Sequence, residues 1–166
     1  MNIILIILIT IFNFILQSTV FQYISINGVI PNTTLIFITV FALLKGKKVG
    51  APLGLGLGLL HDIVFNDVIG IYALLYFIVG YTIGLIDNNV FKENPLVVVV
   101  FTGVSTIGFQ FMYYIFMFFS SIDIEFIYFI KNIVIVEVLY NSILSIPIYK
   151  FIYSFNKGEK LKFGSR

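Results

Sequence analysis

The chain has 166 residues, of which 60% are hydrophobic, 17% aromatic and 11% charged, with a formal net charge of +2 and a mean hydropathy of +1.07. A soluble domain is about 45–50% apolar and about 25% charged, so this chain lacks the polar surface that water demands, and an integral membrane protein is expected. The absence of cysteine excludes disulfides, thiolate metal sites and a Cys nucleophile. A lone histidine, His61, gives a zinc site no second imidazole, and the small net charge gives no footing for nucleic acid.

The apolar share is about 100 residues, enough for five or six helical spans of ~20 residues. Residues 3–21 form the first. They lack the basic n-region and small-x-small site of a signal peptide, so an uncleaved span is expected. Thr10, Asn13 and Gln17 lie on one face of it. The second span, 28–44, is opened by Pro31-Asn32 and stopped by Lys45-Gly46-Lys47-Lys48. The third, 49–65, carries GAPLGLGLGLLHD, with Gly50, Gly54 and Gly58 spaced by four. The fourth, 70–86, repeats that spacing in Tyr72, Tyr76, Gly80 and Gly84.

The loop DNNVFKEN leads to Pro95, which starts a fifth span ending at Phe119; Thr102, Thr106, Gln110 and Tyr114 recur every four residues along it. After SSIDIE the sixth span, 127–155, carries Lys131 near its start and then Glu137, Asn141 and Ser145, again spaced by four. The transmembrane domain is thus 1–155, and NKGEKLKFGSR, 156–166, reads as a basic tail. With the N-terminus inside, the cytoplasmic segments hold Lys45, Lys47, Lys48, Lys92, Lys150, Lys157, Lys160, Lys162 and Arg166, against Lys131 alone near the outer edge. Positive charge collects on the cytoplasmic side, so six spans with both ends cytoplasmic are expected, anchored by Lys45, Lys47 and Lys48.

At ~1.5 Å per residue along alternating helices, Gln17, His61, Asp62, Gln110, Lys131 and Glu137 all fall toward the outer leaflet. Interhelical hydrogen bonding accounts for Gln17, Gln110 and Asn141. Glu137 is a functional candidate because an acid inside a membrane is costly; as glue it would be a neutral donor to Gln110 or Gln17. His61-Asp62 has the composition of a proton relay, but no nucleophile lies nearby, and Asp62 reads more simply as a local cap or loop-ordering acceptor. GLGLGLG lacks the Lys-Ser/Thr of a phosphate loop. The glycines Gly50, Gly54, Gly58, Gly80 and Gly84 fit close helix packing or a partner interface, as small-xxx-small faces do in lipid. No catalytic set, cofactor site or metal site is expected.

The order of these features resembles the rod shape-determining MreD family over nearly the whole chain. The resemblance is carried by LQSTVF, Pro31-Asn32, LLKGKKVGAPLGLGLGLLHDIVF and Gly70 to Tyr76 with Gly80; its most specific part is Gly54–Asp62 followed by Gly70. It implies an all-α six-helix bundle similar to the S-components of energy-coupling-factor vitamin transporters. It also implies a non-enzymatic scaffold in the bacterial cytoplasmic membrane. Such a subunit works with MreC and, through it, with a RodA-like glycan polymerase and a class B transpeptidase, under MreB guidance. A small-molecule binder of the S-component type is the alternative, with the outer polar cluster as its pocket. S-components often present Ala-xxx-Ala to their partner, whereas Ala42, Ala51 and Ala73 are not four apart.

Overall fold

The structure is a computed structural model that describes residues 3–26, 28–66, 68–86, 94–120 and 125–163, with side chains described as far as residue 155. Among these residues there is no strand, only an isolated bridge between Ile26 and Val29. Six helices follow in order: α1 (Ile3–Thr19), α2 (Thr33–Lys45), α3 (Lys47–Phe65), α4 (Ile71–Gly84), α5 (Pro95–Phe119) and α6. The last runs through Phe126–Phe129, a π-helical turn Ile130–Val134, and Ile135–Phe163. This is an all-α membrane bundle. The loops DNNVFKEN and SSIDIE, with Lys92, fall almost entirely outside the described residues. Helix α6 continues to Phe163, so the first residues of the basic tail are helical.

Three helical segments, Lys47–Phe65, Pro95–Phe119 and Phe126–Phe155, are long and apolar enough to cross a membrane. The other three are shorter than the sequence suggests. Helix α2 has 13 residues and α4 has 14, about 20 Å each against a hydrocarbon core of about 30 Å. Backbone geometry explains the shortening. Gly28 has φ +80°, Pro31 follows, and the chain becomes helical only at Thr33; Gly70 has φ +116°, so α4 cannot begin before Ile71.

Helix α2 is the hub of the bundle. It touches each of the other five helices, and every residue from Thr33 to Leu44 is buried. A helix apolar on all sides has no lipid face to separate from a packed face, and full burial follows. Phe37, Phe41, Leu35 and Ile38 make up its part of the core, joined by Tyr76, Phe109 and Ile152 from α4, α5 and α6.

Helices α3 and α4 form the closest antiparallel pair. Their seam is built from glycine. A Cβ at Gly58 would strike the backbone of Ala73, one at Gly54 the carbonyl of Tyr76, one at Gly80 the carbonyl of Gly50, and one at Gly84 the backbone of Lys47. Gly56, on the other face of α3, has nothing within 4 Å of such a Cβ. Backbones this close are possible only without side chains, which is how helices gain van der Waals contact in lipid.

Candidate functional site

The polar side chains of the spans converge at one end of the bundle, opposite the turn Lys45–Lys48. Two short helices begin there, and each leaves N–H groups that have no partner inside the helix. In water those donors would be solvated; inside a membrane protein other side chains must satisfy them.

Helix α2 is capped by three residues. Asn32 Oδ1 accepts the Leu35 N–H at 3.0 Å, the ordinary N-cap bond, and the hydroxyl of Tyr76 at 2.8 Å. Gln17, from the end of α1, places its Oε1 where the Thr34 N–H (2.7 Å), the Thr34 hydroxyl (2.7 Å) and the Thr33 hydroxyl (2.9 Å) all donate to it. Asn141 of α6 accepts the Asn32 N–H at 2.9 Å. Gln17 therefore serves α2 and is not hydrogen-bonded to Glu137.

Helix α4 is capped by one residue. Asp62, wholly buried near the end of α3, accepts the N–H groups of Gly70 (2.9 Å) and Ala73 (3.0 Å) on Oδ2, and that of Tyr72 (3.1 Å) together with the Asn66 amide (3.0 Å) on Oδ1. Four donors on one carboxylate at a helix N-terminus form a strong cap, because the helix dipole adds to the charge-assisted bonds. The stretch Gly54–Asp62 with Gly70 is thus one device: glycines bring α3 against α4, and Asp62 finishes the start of α4.

Behind these caps, Glu137 is 4% exposed. It accepts hydrogen bonds from the Gln110 side-chain amide and from Asn141 Nδ2, the latter at 3.4 Å. Asn141 Nδ2 also donates to Thr106 Oγ1 at 3.0 Å. Glu137 is an acceptor here, where the sequence suggested a donor, because both neighbours turn their NH2 groups toward it. Gln110 Oε1 is left buried without a hydrogen-bond partner. The three polar stripes of α1, α5 and α6 face inward, with Thr10, Asn13, Thr102, Thr106, Gln110, Glu137, Asn141 and Ser145 all buried.

His61 stands apart from Glu137's hydrogen bonds. Its ring stacks on Tyr72 at 4.0 Å between centroids, and Asn66 Nδ2 lies 3.4 Å from its Nδ1. Of the expected outer cluster, Gln17, His61, Gln110 and Glu137 line one cleft, whereas Asp62 is turned to the start of α4 and Lys131 is exposed on the π-helical turn, because depth along a helix does not say which way a side chain faces. At the other end, Lys45 is half-buried, Lys48 is exposed, and the Lys47 ammonium sits 5.6 Å from the Tyr81 ring centroid. The cleft itself has a volume of about 290 Å³ and takes in Gln17, Asn32, His61, Tyr72, Gln110 and Glu137. Sequence reasoning missed Thr33 and Thr34, the donors to Gln17, and passed over Asn32 as a cap although Pro-Asn-Thr-Thr ahead of an apolar run is a helix-start pattern. Among the described residues no three His, Cys, Asp or Glu side chains gather as a metal site would require.

The model of the rod shape-determining protein MreD family matches residues 1–157. The chain belongs to the MreD family. No curated protein and no solved structure matches it. As an MreD-family member it is a membrane protein of rod shape determination, and the family's match takes in every described polar residue of the site.

Proposed function

We propose that the chain is a non-enzymatic scaffold of the cell-elongation machinery, one that holds an MreC-type partner in the membrane. Through that partner it would reach a RodA-like glycan polymerase and a class B transpeptidase. The observation that carries this reading is the MreD match over residues 1–157. The site's chemistry fits it: both oxygens of Asp62 are committed to the start of α4. In this reading the chain crosses the membrane six times with both ends cytoplasmic, since nine of its ten basic residues fall on one side. Helix α2, sheathed by five others, needs no full hydrocarbon length of its own.

A small-molecule binder of the S-component type is the second reading, favoured by the polar cleft of about 290 Å³. Complementation separates the two. In a rod-shaped host deleted for its own MreD-family gene, expression of this chain should restore rods. Round cells despite normal membrane levels of the protein would count against the scaffold and for the binder.

A further inference from the structure

The cleft holds chemistry that helix capping does not use. Capping occupies Gln17 Oε1, both oxygens of Asp62 and the oxygen of Asn141. Gln110 and Glu137 are different. Gln110 is 7% exposed, lines the cleft, turns its amide nitrogen to Glu137, and keeps an oxygen that no donor reaches. That oxygen is sealed from the cleft, so the group that meets an occupant there is the Glu137 carboxyl.

The rest of the lining narrows the choice. No Lys or Arg is among the lining residues described, and the His61 Nδ1 faces a donor at 3.4 Å, which makes that nitrogen an acceptor. The wall is aromatic: His61 on Tyr72 at 4.0 Å, and Phe109 5.4 Å from Tyr72, centroid to centroid. A carboxyl and aromatic faces, with no Lys or Arg among the described lining residues, suit a positively charged group bearing N–H donors. An anion would face the Glu137 carboxyl with no Lys or Arg among the described lining residues to offset it.

We propose that this cleft is a binding site for a primary ammonium group, carried either by a lipid headgroup or by a free small amine. The ammonium donates to Glu137 and rests against the His61–Tyr72 rings. Its carrier enters past Gln22, Ile30 and Phe65, the exposed members of the lining. The site does not depend on the scaffold reading, and its tests read binding rather than cell shape.

The full chain is purified and tested in two arms. In detergent, its thermal unfolding is followed with ethanolamine and with ethylene glycol, which replaces the ammonium by a hydroxyl. In nanodiscs of mixed phosphatidylethanolamine, phosphatidylcholine and phosphatidylglycerol, retained lipid is counted by mass spectrometry. A free-amine site raises the midpoint with ethanolamine but not with ethylene glycol. A lipid site retains phosphatidylethanolamine over phosphatidylcholine, whose trimethylated nitrogen cannot donate. In either case Glu137→Gln weakens binding about tenfold, the loss of one charge-assisted bond. Should that variant misfold, the ammonium-against-hydroxyl and ethanolamine-against-choline comparisons on the unaltered chain still decide. Equal response to ethanolamine and ethylene glycol, together with no preference among the lipids, overturns the proposal, as does unchanged binding in a folded Glu137→Gln.

Discussion

Asp62 Oδ2 accepts the backbone N–H of Gly70 at 2.9 Å, so a carboxylate on α3 sets where α4 begins. The two residues solve one problem from opposite sides. Gly70 takes a φ of +116° that other residues avoid, and the turn it makes aims a row of N–H groups at Asp62. Asp62→Ala leaves buried donors without acceptors and should cost about 1–3 kcal/mol, read as a lowered thermal midpoint in detergent. Asp62→Asn keeps one acceptor oxygen and should fall between. Gly70→Ala, which forces a side chain into that φ, should cost about 1–3 kcal/mol as well.

The glycine seam makes a sharper contrast. Gly54→Leu and Gly58→Leu drive side chains into the Tyr76 carbonyl and the Ala73 backbone, while Gly56→Leu projects into open space. Overpacking of this kind costs about 1–3 kcal/mol or more where backbone is the obstacle. Circular dichroism melts should show the first two strongly destabilised and the third close to the parent. Equal loss in all three would mean that α3 does not present the face described.

Glu137 is held by two amide donors, which sets the expectation for its substitutions. Glu137→Gln keeps an oxygen toward Gln110 but sets its own NH2 against one donor, so a small loss of stability is expected. Glu137→Leu strands both amides and should lower stability by about 1–2 kcal/mol. The two melting curves, compared with the parent, check the order.

Much of this was legible in the sequence, and the gaps have physical reasons. The six apolar segments, the inward stripes of α1, α5 and α6, and the α3 face bearing Gly54 and Gly58 all follow from helical period. The length of α2 and α4 did not, because hydropathy sees an apolar run at 28–44 but not the positive φ at Gly28 or the late start at Thr33. The partners of Gln17 were also hidden: depth along a helix put it level with Glu137, whereas the Thr33-Thr34 end of α2 lies nearer. Lys131 failed for a related reason. Depth alone says nothing of azimuth, and the π-helical turn at Ile130–Val134 changes the azimuth of what surrounds it.

The proposed topology has its own check. Nine of ten basic residues lie in segments assigned to the cytoplasm. A reporter active only outside the cell, fused after Arg166, should give no signal, and the same reporter inserted at Ser121 should give a strong one. Signal from the C-terminal fusion would contradict six crossings with both ends inside.

The scaffold reading is tested most directly by what the protein carries out of the membrane with it. The chain is expressed in a rod-shaped host, extracted in mild detergent and purified, and its companions are identified by mass spectrometry. Recovery of an MreC-like protein together with a RodA-like polymerase is the predicted result. Recovery of transporter ATPases in their place, with no MreC-like protein, would contradict the account and make the polar cleft the pocket of a transport subunit.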